Sequence, residues 1–226
     1  MNPFSFSKGV RQTLAVCGVT MAVAVSSAAE WQSLLDGGDL KAWKLFGKPD
    51  GAPIAWKVEG DVLAWQKGGG NLMTREKFRD FELELEWKIL PGGNSGVMFG
   101  VEESSDKPWH TGPEIQVLDD SVHKDGKNPL TSTGAIYSLY PPVKRPAKAI
   151  GEWNALRVRV QNGKIQTWLN GELTAEATIG SEDWNARVAK SKFAKFSNFA
   201  KVREGHILLQ DHSDPVWYRK IRIRRL

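Results

Sequence analysis

The sequence predicts an all-β fold, a β-sandwich or barrel, on three observations. Phe81 to Ile89 alternates apolar and polar residues over nine positions, which is the period of a half-buried strand. Asn162-Gly163 and Asn170-Gly171 each separate two alternating runs, and Asn-Gly favours a hairpin because both turn residues need a positive φ. About ten short strand candidates follow one another with turn residues every 8–12 positions, as in sandwiches and barrels.

The predicted strands form one domain over residues 30–226, because no linker or change of composition interrupts them. In chain order they are 55–58, 62–65, 81–89, 97–101, 114–118, 135–139, 156–160, 165–169, 206–212 and 216–226. The two Asn-Gly turns predict a three-stranded meander that begins at residue 156. Residues 181–203 carry large apolar side chains among lysines, so we expect a loop with one or two helical turns that caps one end of the sandwich.

Charged residues on two of these strands predict solvated faces. Glu82, Glu84, Glu86 and Lys88 share one side of the 81–89 strand. The arginines that alternate with isoleucines in 221–225 predict the solvent side of an edge strand, where charge prevents pairing with another chain.

Residues 1–29 predict a secretory signal peptide. Lys8 and Arg11 form a positive segment, residues 14–25 are an apolar run, and Ser27-Ala28-Ala29 supplies small residues for a cleavage site. The run is shorter than the roughly 20 residues that a transmembrane helix needs, although a retained N-terminal anchor is the alternative. We therefore expect a periplasmic or secreted protein with no stable membrane span after signal cleavage.

Composition excludes several classes of function. The chain carries a net charge of +5, and its one cysteine, Cys17, lies in the predicted signal peptide. A mature chain without cysteine has no disulfide framework, zinc–thiolate site or cysteine nucleophile. No basic segment is interleaved with aromatic residues, so no nucleic-acid partner is expected. Ten Trp and nine Phe suit either a β-rich core or a surface that stacks on sugars.

Two polar segments are candidates for a site. Residues 91–96 (PGGNSG) are either a tight hairpin or a loop whose glycines let a ligand approach, with Asn94 as a contact. In 114–118, Ile115 and Val117 would face the core, so Glu114 and Gln116 would point outward. A carboxylate and an amide two residues apart suit sugar hydroxyls, which both donate and accept hydrogen bonds.

Further polar side chains extend this candidate site. Asp119 and Asp120 end the same strand and could cap a turn or bind a cation, and His123 follows them. Tyr137 could stack on a sugar or donate its hydroxyl. In 208–212, Gln210 and His212 share a face, and imidazole exchanges a proton near neutral pH.

Read together, these segments resemble the exported bacterial 3-keto-disaccharide hydrolase domain family. The matching pieces are GGNSGVMF (92–99), TGPEIQVLDD (111–120) with His123, TGAIY (133–137), GEWN (151–154), WLNG (168–171), GHILLQDH (205–212) and VWYRKIRIR (216–224). The resemblance implies a concanavalin A-like, laminarinase-like jelly roll of two antiparallel sheets. It also implies an enzyme that cleaves glycosides whose carbon 3 has been oxidised to a ketone.

The implied chemistry assigns roles to these side chains. A ketone at carbon 3 acidifies the hydrogen on carbon 2, so a base removes it and the aglycone leaves from carbon 1. Glu114 or Asp119 would be the base, and His212 the acid or an enolate donor. Substrate binding would fall to Asn94, Gln116, Tyr137, Gln210 and His123. A divalent cation would polarise the ketone, but no metal-ligand spacing is evident, so no cofactor is assigned.

Two other functions fit the same residues. Jelly rolls also host non-catalytic, lectin-like carbohydrate-binding modules, and an ordinary glycoside hydrolase would use two carboxylates. The sequence also departs from the family pattern at three positions: Gly100 replaces a frequent arginine, Ser213 a glycine, and Lys220 an asparagine. Substrate choice, linkage, metal requirement and the outcome as hydrolase or lyase stay open at this point, as does the oligomeric state.

Overall fold

The computed structural model describes Met1 and residues 30–226, so the predicted signal peptide lies outside the described residues. The described chain has these strands: β1 (Gln32–Ser33), β2 (Trp43–Leu45), β3 (Lys57–Glu59), β4 (Val62–Ala64), β5 (Leu72–Thr74), β6 (Phe81–Ile89), β7 (Asn94–Val101), β8 (Glu114–Leu118), β9 (Asn154–Gln161), β10 (Lys164–Leu169), β11 (Glu172–Thr178), β12 (His206–Leu209) and β13 (Val216–Arg225). One α-helix, α1 (Glu182–Lys190), and five 3₁₀ helices accompany them. No helix between residues 30 and 226 is long and apolar enough to cross a bilayer.

The strands form two antiparallel sheets, as predicted for a β-sandwich. The large sheet has the order β11-β10-β9-β6-β13-β4-β3, with β1 beside β13. The small sheet has the order β2-β5-β12-β7-β8. Every named strand pair is antiparallel, and neighbours such as β12 and β7 are far apart in sequence, which is the jelly-roll pattern.

The core lies between the sheets and follows the period-2 alternation of the strands. From β6 it receives the odd-numbered apolar residues, for example Phe81 and Leu83, and from β8 it receives Ile115 and Val117. Their even-numbered neighbours therefore point away from the core. On β8 these neighbours include Glu114 and Gln116, as the sequence predicts.

The meander and the cap are both confirmed. β9, β10 and β11 pair in sequence order around the two Asn-Gly turns. Helix α1 begins after Ser181, whose side chain accepts a hydrogen bond from the Trp184 amide, and a 3₁₀ helix over Lys192–Lys195 follows. Trp184 and Phe193 each stack on Phe199 and bury this segment against the sandwich.

Three sequence predictions about strands are wrong. Residues 91–96 are not a hairpin, because β6 and β7 lie in different sheets and the chain crosses between them here. Residues 135–139 are not a strand, although Ile136 forms an isolated bridge to Ile115 along the outer edge of β8. β13 is not an edge strand, since β6 pairs with it on one side and β4 and β1 on the other.

Glu82 does not lie on a solvated face, because its side chain is 1% exposed beneath two arginines. Arg157 and Arg224 both pair with its carboxylate across the β9–β6–β13 surface. Glu84 pairs with Arg222 in the next row. Arg224 and Arg222 of β13 directly face Glu82 and Glu84, whereas Arg157 of β9 faces Glu84 and reaches Glu82 diagonally.

The three departures from the family pattern share a backbone conformation. Gly100, Ser213 and Lys220 all have a positive φ, at 62°, 69° and 52°. This region costs an ordinary L-residue energy and is easiest for glycine or asparagine. Lys220 sits at the bulge of β13, where one extra residue stands between the pairs Arg219–Glu86 and Arg222–Glu84.

Candidate functional site

The outer face of the small sheet brings together most of the predicted site residues. β8 contributes Glu114 and Gln116, and the neighbouring β7 contributes Asn94 and Gly96, because Gly96 pairs with Gln116. Gln210 follows β12 and joins the same row, since its backbone amide donates to the Gly96 carbonyl at 2.9 Å. We call this surface the amide face.

Glu114 is the central titratable group of the amide face. Its side chain is buried, with the residue 7% exposed, and its carboxylate occupies the space where any side chain at Gly96 would lie. Burial raises the pKa of Glu114 to about 8, while the Lys192 charge and the Gln210 amide oppose the shift. A carboxyl group with this pKa can hold or release a proton near neutral pH.

A wall of aromatic and charged side chains stands beside Glu114. The Lys192 ammonium lies 4.3 Å from the ring centre of Tyr137 and 5.0 Å from that of Trp109. Burial lowers the pKa of Lys192, although Glu114 and Asp125 favour its charged form. Burial, together with the charges of Asp125 and Glu114, raises the pKa of Tyr137 to about 12, so its hydroxyl stays protonated and can donate.

Three side-chain amides of the amide face have an oxygen without a hydrogen-bond partner. Among the described residues, the side-chain oxygens of Asn94, Gln116 and Gln210 are buried without a hydrogen-bond partner. Gln116 is held in place because its amide nitrogen donates to the Thr131 carbonyl at 3.1 Å. Since buried polar atoms are normally paired, three unpaired acceptors on one surface indicate a place where a ligand donates hydrogen bonds.

His212 lies at the opposite end of the amide face. Its imidazole is half exposed, with Nδ1 3.7 Å from an Asp214 carboxylate oxygen, and its ring lies 6.4 Å from that of His123. The same Asp214 oxygen accepts from the Asn94 backbone amide. Asn94 is four residues from Met98, the partner of Glu114, so about 13 Å of strand separates the two ends. Gln116 and Gln210 lie between them.

Asp119 is not placed to act as the base. One oxygen accepts from the Gly92 amide at 2.8 Å, and the other accepts from the backbone and hydroxyl of Ser121. Burial alone would raise its pKa, but these hydrogen bonds outweigh burial and hold the pKa of Asp119 below its usual value. Its carboxylate therefore fixes the crossing loop to the end of β8. Asp120 likewise accepts from the Thr133 amide.

Apolar side chains form the floor next to Glu114. Met73, Met98 and Leu208 come from β5, β7 and β12 and are fully buried on this outer side, where Phe46 and Trp109 pack over them. This cluster therefore excludes water beneath the site, and only the partly exposed Phe46 and Trp109 are left to contact the carbon face of a sugar ring. Within residues 30–226, no three His, Cys, Asp or Glu side chains are grouped so that they could hold a metal ion.

Sequence reasoning missed four members of the site: Lys192, Asp125, Trp109 and Asp214. Lys192 begins a 3₁₀ helix in the cap, and its position over Tyr137 depends on how the cap packs. Asp125 lies in a 3₁₀ turn whose amide donates to His123. A pattern of alternation identifies strand faces, but it gives no information about which loop folds over them.

The comparisons with known proteins agree with this architecture. A solved glycosyl hydrolase candidate from Parabacteroides distasonis is 31% identical with a TM-score of 0.81, and the alignment covers 87% of this chain and 94% of that protein. A carbohydrate-binding module from Bacillus subtilis, 13% identical with a TM-score of 0.50 over 81% of this chain and 95% of its own, shares the fold alone.

The sequence comparisons are more specific. A protein of Bacteroides thetaiotaomicron named 3-keto-disaccharide hydrolase is 33% identical, over 86% of this chain and 78% of its own length. The family model described as the 3-keto-alpha-glucoside-1,2-lyase-like domain matches residues 30–224. These names are those of carbohydrate-active, hydrolase-like proteins. The chain thus belongs to the 3-keto-alpha-glucoside-1,2-lyase-like domain family.

Proposed function

We propose that the protein is an exported enzyme that cleaves 3-keto-glycosides, including 3-keto-disaccharides, by abstraction of the proton on carbon 2. The observation that carries this proposal is Glu114, a buried carboxyl group with a pKa of about 8 on the same face as three unpaired amide oxygens. The family membership supports the substrate class.

Glu114 is the base in this reaction. A base is most effective when its pKa lies near the working pH, and the burial of Glu114 provides that. Once ionised, the carboxylate takes the carbon-2 proton, and the electron pair of the broken C–H bond moves into the ketone as an enolate. Tyr137 and Lys192 stand beside Glu114 and supply a hydroxyl and a positive charge to stabilise the enolate oxygen.

The enolate then collapses and expels the aglycone oxygen from carbon 1, which gives an unsaturated sugar. Because carbon 1 is bonded to carbon 2, Glu114, now protonated beside carbon 2, passes its proton to the leaving oxygen. His212, at the other end of the amide face, contacts the aglycone. Addition of water to the unsaturated sugar completes a net hydrolysis, and its release without water completes an elimination. Asn94, Gln116 and Gln210 accept hydrogen bonds from sugar hydroxyls between the two ends.

The decisive experiment compares 3-keto-trehalose and a 3-keto aryl glucoside with their unoxidised parents, with and without a chelator. We expect release from the keto compounds alone and solvent deuterium at carbon 2 of the product. Release from both compounds would identify an ordinary glycoside hydrolase, and binding without release a carbohydrate-binding module. Loss of release with the chelator would reveal a required cation.

Two variants test the roles of Glu114 and His212. We expect Glu114→Gln to lower turnover of the keto substrate by about 10²–10⁴-fold while sugar binding persists. His212→Ala should raise KM for the keto substrate and change kcat less, because His212 contacts the aglycone and not the reacting carbons. Glu59→Gln, an exposed glutamate of β3, is the matched control. Equal turnover of Glu114→Gln and Glu59→Gln would overturn the assignment.

Export is part of the proposal, and it depends on the predicted signal peptide at residues 1–29. The family match supports it by beginning at residue 30, immediately after the predicted cleavage site. Expression in a Gram-negative host followed by mass spectrometry of the periplasmic fraction should give a protein that starts at Glu30. A full-length chain retained with the membranes would instead indicate the N-terminal anchor.

A further inference from the structure

A second cavity opens at one end of the sandwich, separate from the amide face. It has a volume of about 250 Å³ and reaches between the two sheets where β6 and β7 meet the loop at 200–203. Its inner lining is apolar and includes Phe81, Phe99, Val160 and Ile179. Pockets for drug-sized molecules span about 300–1,000 Å³, so this cavity suits a smaller ligand of one or two rings.

The mouth of the cavity is positively charged. Arg79, Lys201 and Arg203 line it together with one acidic residue, Asp80. The Asp80 carboxylate accepts a hydrogen bond from the Asn162 amide at 2.7 Å and lies 3.9 Å from the Arg79 guanidinium. Lys201 and Arg203 are exposed and lie on the same short loop. The charge at the mouth therefore favours an anion.

The shape of the cavity depends on backbone that carries no side chain. Gly100 lines it at a φ of 62°, and a β-carbon added there would lie 3.4 Å from the Val202 carbonyl oxygen. Gly163 and Gly180 also line the cavity. Gly163 lies in the turn between β9 and β10, and Gly180 follows the end of β11. A side chain at Gly100 would press on the loop at Val202, which borders the cavity.

We propose that this cavity binds a small apolar monoanion, an aromatic carboxylate, with its rings between the sheets and its carboxylate at Lys201 and Arg203. Charge complementarity at the mouth and the apolar interior define this class of ligand. The site is distinct from Glu114, so it stands whether or not the protein cleaves 3-keto-glycosides.

The test is a calorimetric titration of the full mature chain with 2-naphthoate and, in parallel, with the neutral 2-naphthalenemethanol. We expect 2-naphthoate to bind at least tenfold more tightly than the alcohol. The double variant Lys201→Ala/Arg203→Ala should weaken naphthoate binding at least tenfold, and Val202→Phe, which fills the mouth, should abolish it. Lys67→Ala is the control. This exposed lysine lies in the 65–70 turn, which contacts Asp211 after β12 and does not line the cavity.

Three outcomes would overturn the proposal. Absence of naphthoate binding at millimolar concentration would exclude the site. Equal affinity for the acid and the alcohol would remove the role of the charged mouth. Binding that Val202→Phe leaves unchanged would locate the ligand elsewhere, and circular dichroism of each variant separates loss of the site from loss of the fold.

Discussion

At the scale of single residues, Glu114 governs the behaviour of the site because burial dominates its titration. In the proposed reaction its ionised form is the base, so kcat/KM should rise with pH and level off above an apparent pKa of about 8. The Lys192 charge lowers the pKa of Glu114. We therefore expect Lys192→Met to move the rising limb to higher pH.

The pH–rate profile of three proteins checks this prediction. Wild type and Lys190→Met, a change at the exposed end of α1, should share one profile. Lys192→Met should reach its plateau at a higher pH, in addition to any loss of rate from a weaker enolate contact. If the rising part of the pH–rate profile of Lys192→Met lies at the same pH as in wild type, a group other than Glu114 controls the rate.

The same carboxyl group makes stability depend on pH. The pKa of Glu114 rises from 4.5 to about 8 on folding, so between these values the native state holds a proton that the unfolded state has released. Stability must then fall with rising pH across this window, by at most about 1.4 kcal/mol per pH unit. In Glu114→Gln the free energy of unfolding lacks this dependence on pH, because the amide does not titrate.

We expect Glu114→Gln to gain stability relative to wild type between pH 5 and pH 8. Urea unfolding at the two pH values measures the difference in the free energy of unfolding. Glu59→Gln, on an exposed strand end, should follow wild type at both. A constant difference between Glu114→Gln and wild type would mean that Glu114 is not protonated in the native state at pH 5–8.

Backbone conformation predicts a further single-residue effect at Ser213. This residue has a φ of 69°, and the left-handed region costs an ordinary residue roughly 1–2 kcal/mol. Its amide donates to Asp211, and glycine keeps that hydrogen bond. After the added entropy of the unfolded glycine chain, Ser213→Gly should raise the free energy of unfolding by about 0.5–1 kcal/mol.

Thermal unfolding of Ser213→Gly tests this, with Ser104→Gly as the matched control. Ser104 is an exposed serine outside the positive-φ positions, so glycine there relieves no strain. We expect a higher Tm for the first variant and an equal or lower Tm for the second. A drop in both would show that the Ser213 side chain contributes more than its backbone costs.

At the scale of elements, the close pairing of β7 and β8 depends on the absence of a side chain at Gly96. The Glu114 carboxylate fills the space above Gly96, so a methyl group there would clash with it. Overpacking of this kind costs about 1–3 kcal/mol. We expect Gly96→Ala to destabilise the protein and to displace Glu114, which reduces turnover.

A double-mutant cycle separates the clash from a general effect on the strand. In a Glu114→Ala background the space above Gly96 is empty, so Gly96→Ala should cost much less there than in wild type. Unfolding free energies of the four proteins give the coupling between the two positions. Equal costs in both backgrounds would mean that Glu114 does not lie over Gly96.

The elements also show what sequence can and cannot predict. The alternation in 114–118 correctly placed Glu114 and Gln116 outward. A two-residue period leaves only two possible orientations of the strand, and the apolar residues decide which side faces the core. For 91–96 the sequence offered a tight hairpin as one of two alternatives, since strands that follow each other usually pair, and that alternative is wrong. Which strands become neighbours in a sheet depends on contacts between distant parts of the chain, and no local sequence pattern encodes that choice.

At the scale of the whole molecule, the two sheets, the meander and the cap were predictable, whereas the membership of the site was only half predictable. Lys192 reaches the site from the cap, and Asp214 reaches it from the link into β13. Sequence could not decide between Glu114 and Asp119 as the base, because the Gly92 and Ser121 amides that bind the Asp119 carboxylate belong to loops. Alternation predicts which strand residues belong to the candidate site, whereas the loop residues of the site depend on how the loops pack against the sheet.

The segment 133–137 has a consequence for how anything reaches Glu114. The backbone of this segment forms hydrogen bonds with β8 at Glu114 and Gln116, so the edge of β8 beside Glu114 is already paired. An extended peptide cannot attach itself there by adding another ribbon to the sheet. A ligand can therefore approach Glu114 only across the outer face of the small sheet, which suits a compact ring better than an extended chain.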